Sequence, residues 1–424
     1  MTLTDAQVES IIAGGLDSLP LAGKRVLVII PDATRSIPLP LLFRLITRHL
    51  LPRVRAVDFL VALGIHPPMS AEARLRWVGL TPEEKARDYP GVQLLNHTWQ
   101  DPQALVTLGT LSADEVAELS QGLLRMDVPV RINRLVLDYD HLLVCGPVFP
   151  HEVAVFSGGN KYFFPGISGP SMIDFTHWLG ALITNYHIIG AGDTPVRRAI
   201  DRAASLIPTP RHALCSVVTP EGLAALYFGT VEEAWRQAAT LSAQLHVRYV
   251  DRPYSQVLSV LPQMYDELWV GAKGMYKLEP AIADGGEVIL YAPHLSEISR
   301  THGALIRQVG YHVRDYFTKQ WERFKHVSWG VLAHSTHLRG LGTYDADTGI
   351  ELPRIQVTLA TGIPEDVCRA VNLGYRDPAG IEPQAWAGRE AEGVLLVPKA
   401  GETLYRLKTD SSNGSDERAL ATHA

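Results

Sequence analysis

The chain has 424 residues, 46% of them hydrophobic and 20% charged, so a packed globular core is expected and a disordered or solvated chain is excluded. At roughly 150 residues per domain it holds two or three domains. With 39 Lys and Arg against 45 Asp and Glu, the formal charge is -6, which gives no global drive toward nucleic acid or an anionic membrane.

Short β-branched runs alternate with stretches of helical period, the pattern of α/β proteins with parallel sheets and crossover helices. Strands are predicted at 25–30 (RVLVII), 56–65, 141–148, 213–218, 267–272 (ELWVGA), 287–292, 328–333 (SWGVLA) and 393–398. Helices are predicted at 39–51 behind a proline, at 112–126 behind a capping Ser112, and at 230–250, a long amphipathic stretch. An Asp-Arg-Pro turn near 251–256 marks the expected domain boundary. The prediction is therefore an α/β fold of two lobes with mainly parallel sheets and an active-site cleft between them. Residues 1–250 form a cofactor-binding and catalytic domain, 251–408 a second α/β domain, and 409–424 a polar, mobile tail. Cys145, Cys215 and Cys368 are far apart, which encodes neither a disulfide framework nor a thiolate zinc site. No apolar run reaches the 18 or so residues of a membrane span, and the first ten residues are polar, so a cytoplasmic location is expected.

Four segments place reactive side chains just after predicted strands, where open α/β sheets bind ligands. In PDATRSIP, Asp32 and Arg35 suit an orienting carboxylate and a carboxylate-gripping fork, or else a capped turn with a surface arginine. In ALGIHPP, His66 sits on a proline-stiffened loop, which fits acid/base chemistry or metal binding as well as a structural role. PHEVAVFSGGNKYFFPGISGP joins His151, Ser157, Gly158, Gly159 and Lys161. Its glycines resemble an anion-cradling turn but lack the P-loop spacing, and Ser157 is not in a nucleophile elbow. His177 falls on a largely apolar helix, where it is either a satisfied core histidine or a metal ligand. His334 and His337 follow a predicted strand without a nearby carboxylate and read as structural or surface residues.

Taken together, the DATR, GIHPP and PHEVAVFSGGNKYFFPGISG motifs, with His177 16 residues beyond Lys161, resemble the nickel-pincer lactate racemase family in order and spacing. AKGMYKLEPAIADGGEVIL is similar to that family's lysine-bearing helix, Gly-Gly turn and strand, and the resemblance runs over about residues 25–400. It implies a racemase of 2-hydroxy acids acting by reversible hydride transfer through a 2-keto acid. The implied cofactor is a nickel-pincer nucleotide (pyridinium-3-thioamide-5-thiocarboxylic acid mononucleotide) tethered to Lys161, with Ni(II) completed by His177. Ser157, Gly158 and Gly159 would accompany the tether, and His66 and His151 would be paired acid/base residues. Arg35 and Lys273 would hold the substrate carboxylate, with Asp32 orienting them. The pincer plus one imidazole makes a four-coordinate field that suits Ni(II) better than tetrahedral zinc.

The chain departs from the family at Trp269 and Val270, where a Tyr-Gln pair is usual. This more apolar wall points to short aliphatic substrates such as lactate or 2-hydroxybutyrate, with Trp321 similar to a family aromatic near the site. A sugar-acid 2-epimerase and a malate or aromatic 2-hydroxyacid racemase are the alternatives within the class. A His-ligated metal hydrolase without organic cofactor and a non-catalytic binding protein stand outside it. The expected partners are a small 2-hydroxy acid and the cofactor-biosynthesis proteins that activate the enzyme, with no nucleic acid and no membrane.

Overall fold

The computed structural model describes residues 2–408, so the predicted tail at 409–424 lies outside the described residues. The chain divides into two compact units. The first comprises Met1–Phe149, Ser157–Ile173 and Arg197–Leu245, and the second comprises Pro150–Phe156, Asp174–Val196 and the chain from His246 onward. Segments 150–156 and 174–196, inside the first domain expected from sequence, thus pack with the second unit.

The first unit is built on a six-stranded sheet in the order Gly222–Thr230, Arg211–Thr219, His141–Pro147, Arg25–Pro31, Ala56–Ala62, Leu94–Asn96. All neighbours are parallel except the first two strands. Alternation along Arg25–Pro31 sends Val26, Val28 and Ile30 into one core with Leu42, Phe43 and Ile46 of the helix Leu39–Leu50. Each fully buried aliphatic or aromatic side chain of that helix contributes about 1.5–3 kcal/mol, enough to hold it on the sheet despite an N-cap without a side-chain bond. The second unit has a five-stranded parallel sheet, ordered Gly374–Tyr375, Gln356–Thr361, Ile282–Ala292, Tyr254–Val260, Val394–Val397. The architecture is α/β with mainly parallel sheets, as the alternation of strand and helix patterns predicts.

Two predicted strands are helical. Residues 267–272 lie in the short helices Leu268–Gly271 and Lys273–Tyr276, and 328–333 run into the helix Trp329–Arg339. Both stretches are buried on all sides, so neither carries the half-polar periodicity that separates helix from strand. The helix predicted at 112–126 stops at Leu119, and the one at 230–250 ends at His246, followed by the strand Val247–Val250. The three cysteines are free and buried, and burial pushes the thiols of Cys145 and Cys215 up to about 12, which leaves them protonated and inert. Among the described residues no helix is long and apolar enough to cross a membrane.

Candidate active site

In the first unit, the strands Arg25–Pro31 and Ala56–Ala62 end side by side and deliver Asp32 and His66 at their carboxyl ends. The turn after the second strand is closed by the His66 N–H to Leu63 O bond, 2.9 Å, with Gly64 at φ +56°. Asp32 is buried, at 7% exposure, and its two oxygens divide their work. Oδ1 accepts from the Thr34 N–H (3.0 Å) and hydroxyl (2.6 Å), while Oδ2 lies 2.5 Å from His66 Nδ1. Burial raises the Asp32 carboxyl, but the adjoining His66 and the Arg35 guanidinium outweigh it and hold it well below the usual carboxylate range. An ionised Asp32 accepts the His66 Nδ1–H, which directs the ring's lone pair, when it is deprotonated, to Nε2, the arrangement of an oriented base.

The glycine-rich turn belongs to the same unit. Gly158 and Gly159 adopt φ +83° and +58°, and they lead into a single 3-10 turn, Gly159–Tyr162, that carries half-buried Lys161. A Cβ on Gly159 would stand 2.8 Å from the Trp235 ring and 3.0 Å from Arg197 Nη2, and one on Gly158 would stand 2.6 Å from Val148 Cγ2. Those side chains take the space beside the glycines, so close packing as well as backbone conformation requires both residues. Ser157 staples the turn to the sheet: its hydroxyl donates to Pro147 O (2.9 Å) and accepts the Phe149 N–H (2.9 Å), while its carbonyl accepts the Trp235 indole N–H (2.9 Å). Arg197, over the Trp235 ring at 3.6 Å, and Asn160, bonded to Asp201 and Glu232, complete the buttress. The outcome is a primary amine on a rigid base.

The second unit holds His151, His177, Trp269, Val270, Lys273 and Trp321. His151 is buried on a two-residue strand paired with Val155–Phe156. Its Nδ1 accepts the N–H groups of Val153 (3.1 Å) and Ala154 (3.4 Å) and also lies 3.4 Å from the Glu152 carboxylate. One nitrogen therefore faces donors that suit the neutral ring and an anion that suits the imidazolium, so both protonation states have a partner. Burial raises the Glu152 carboxyl, yet His151 and then Lys273 outweigh it and set it well below its ordinary value.

His177 lies on the helix Pro170–Ile183, and its neighbour Trp178 stacks on Trp321 at 5.2 Å between ring centroids. Asp174, earlier on that helix, accepts from Gly330 N–H (2.8 Å) and Ser328 Oγ (3.2 Å) and so pins the start of the helix Trp329–Arg339. That helix brings in His334 and His337, both buried. His334 stacks flat on Trp269, 3.8 Å between centroids, and its Nε2–H donates to Trp269 O at 3.0 Å. Burial lowers His334 to about 3 and His337 to about 4, and His337 feels both Glu152 and His177. Buried Lys273 has its Nζ 5.0 Å from the Tyr265 ring centre, and Lys277 Nζ donates to Gly401 O at 2.6 Å.

Within the first unit the structure thus joins Asp32 to His66 and sets Ser157, Gly158, Gly159 and Lys161 on one turn. Within the second it couples His151, Lys273 and His177 through Glu152 and His337. Thr34 and Glu152 escaped the sequence reading, whereas His334 and His337, read there as structural or surface residues, are buried in the second unit. For the two histidines the signal was present: on a helix, positions three apart share a face, whereas a strand would send them to opposite faces.

Residues 5–188 match the lactate racemase N-terminal domain, a span that contains Asp32, Arg35, His66, His151, Ser157, Gly158, Gly159, Lys161 and His177. A crystal structure of a protein from Thermotoga maritima superposes with a TM-score of 0.89 at 34% identity, covering 96% of this chain and 99% of that one. The lactate racemase apoprotein from Thermoanaerobacterium thermosaccharolyticum superposes with a TM-score of 0.69 at 18% identity, covering 96% and 93%. The comparison with curated proteins returned no match. Fold and domain together define the class, an α/β protein built like lactate racemase. The chain carries a lactate racemase N-terminal domain over residues 5–188.

Proposed function

We propose that the chain is a racemase or epimerase of 2-hydroxy acids that works with a tethered nickel-pincer nucleotide. The observation that carries this reading is the provision of two imidazoles, each with a carboxylate at Nδ1: His66 with Asp32 at 2.5 Å and His151 with Glu152 at 3.4 Å. Inverting a carbinol centre in both directions needs a proton acceptor for either configuration of the hydroxyl; His66, oriented by Asp32, would supply one, and His151, whose imidazolium form Glu152 would stabilise, the other. The family match to residues 5–188 supports the same class of reaction.

The residues present fit the cofactor. Lys161 offers a primary amine on a turn fixed by Gly158, Gly159 and Ser157, a suitable base for a covalent tether. Among the described residues no group of three or more His, Cys, Asp or Glu is placed to hold a metal. A metal site here therefore relies on a donor set that the cofactor mostly brings, to which His177 adds one imidazole.

When bound, the group supplies a reversible acceptor for the Cα hydrogen and its electron pair. The chain's own part is to bind the carboxylate through Arg35 and Lys273, to orient His66 through Asp32, and to exchange the hydroxyl proton. His66 Nε2 takes that proton from one enantiomer as the carbonyl of the 2-keto acid forms, and His151 serves the other. The intact mass of protein produced with and without the cofactor-biosynthesis proteins tests the tether. A mass increase is expected only with them, and only when Lys161 is present. An adduct that persists in Lys161→Ala would place it elsewhere, and no adduct in either preparation would sink the cofactor assignment.

A further inference from the structure

Asp32 is held by more donors than its turn requires. The turn after the strand Arg25–Pro31 closes when the Thr34 N–H reaches Oδ1 at 3.0 Å, a side-chain-to-backbone bond two residues on. Asp101 and Asp377, both exposed, close the same kind of turn with one backbone N–H each, from Gln103 and Ala379 at 2.9 Å. At Asp32 the Thr34 hydroxyl adds a second donor to that oxygen, at 2.6 Å the shorter of the two bonds. Oδ2 is left to His66 Nδ1. The peptide that leads into the turn is pinned as well, because the Trp77 indole N–H donates to Pro31 O at 2.8 Å. A half-buried threonine thus commits its hydroxyl proton to a carboxylate that the turn already fixes in place.

The unequal loading of the two oxygens matters for the histidine. Hydrogen bonds to a carboxylate draw charge from it and favour its ionised form. His66 and Arg35, the charged neighbours that act on Asp32, work in the same direction. Two donors on Oδ1 therefore make Asp32 a weaker acceptor for the Nδ1 proton. A base that serves a reversible step must also give back the proton it takes. Once Nε2 holds the hydroxyl proton the ring is a cation, and it returns that proton readily only while Nδ1 keeps its own. Were the Nδ1 proton to pass to Oδ2, acid and ring would both be neutral, and Nε2–H would belong to a neutral imidazole, a far weaker acid. We propose that Thr34 is a positioning residue for the His66 base: its hydroxyl turns Oδ2 toward the ring and weakens the carboxylate's hold on the Nδ1 proton. The inference rests on the racemase reading, in which His66 exchanges the hydroxyl proton of the substrate.

The test uses Thr34→Val, which keeps the backbone N–H and the shape but loses the hydroxyl, and Thr34→Ser, which keeps the hydroxyl. The first readout is the downfield proton resonance of His66 Nδ1–H in the full chain labelled with ¹⁵N-histidine, assigned by its loss in His66→Gln. The second is kcat and KM of cofactor-loaded protein on the 2-hydroxy acid that wild type turns over fastest. In Thr34→Val the resonance should move further downfield, as the bond to a stronger acceptor tightens. Its kcat should fall about three- to thirtyfold, part of the roughly ten- to hundredfold that one hydrogen bond to a charged group is worth, with KM within about twofold of wild type. Thr34→Ser should restore the resonance and most of kcat, which separates the hydroxyl from a damaged turn. An unmoved resonance in Thr34→Val overturns the inference even where kcat falls, and so does an unchanged kcat where the resonance moves. If wild type turns over no 2-hydroxy acid, the racemase reading falls, while the resonance still decides whether Thr34 governs the bond between Asp32 and His66.

Discussion

Replacing Asp32 by Asn isolates the tautomer of His66. The substitution changes one oxygen to nitrogen, and the surroundings dictate which one. Thr34 N–H, 3.0 Å from Oδ1, can only donate, so the amide oxygen must stay on Thr34 and the amide nitrogen must face His66 Nδ1. Nδ1 then accepts rather than donates, the ring proton moves to Nε2, and the lone pair that takes the substrate proton is lost. Loss of a positioned general base costs about 10²–10⁴ in rate, or roughly 2.7–5.5 kcal/mol of transition-state stabilisation. The assay is kcat on each enantiomer with cofactor-loaded Asp32→Asn, with intact mass and melting temperature as controls. Because the Asp32 carboxyl is held well below its usual range, its share of stability is complete above the unfolded value near 3.9 and fades only as pH falls below it. No acid limb from Asp32 should therefore appear in the wild-type rate between about pH 5 and 8. A variant within threefold of wild type, with the tether intact, would refute the reasoning.

Other outcomes follow from the same geometry. His177→Ala should lose nickel while keeping the mass adduct on Lys161, whereas His66→Ala and His151→Ala should keep both and lose turnover; equal metal loss in all three would overturn that division. Gly159→Ala should cost about 2–5 kcal/mol, from a left-handed backbone and an overfilled contact with Trp235, and a denaturation midpoint close to wild type would count against it. His97, His141 and His337, each lowered by burial to about 4, are neutral in the folded chain. Their contribution is complete above about pH 6.5 and is lost on going down toward 4, by up to about 1.4 kcal/mol per pH unit for each group. The urea midpoint should therefore drop between pH 7 and 5, and a flat profile would contradict it.

The strands that end at Asp32 and His66 were legible because each is a short apolar run followed by a polar or proline-stiffened turn, and the helix Leu39–Leu50 because one face is apolar. The helices around Lys273 and His334 were not, since burial on every side erases the polar face that sets a period. His334 and His337, which the sequence reading set just beyond a strand, therefore lie on one helix instead. Glu152 was hidden for another reason: an acid beside a histidine carries no signal until the fold buries both and brings Lys273 to bear on them. The interleaved units were equally silent, because 150–156 and 174–196 join the second unit through contacts with segments more than a hundred residues away, such as Arg314 to Leu182 O and Asn185 to His337 O.

The most direct test of the central claim is stereochemical. Protein produced together with the cofactor-biosynthesis proteins is incubated with a single stereoisomer of a 2-hydroxy acid, and the product is resolved by chiral chromatography. The account predicts that either configuration at C2 is converted to the same equilibrium mixture, and that Lys161→Ala abolishes the conversion. Retention of configuration across a panel of aliphatic and polyhydroxylated acids, in protein whose mass shows the adduct on Lys161, would contradict it.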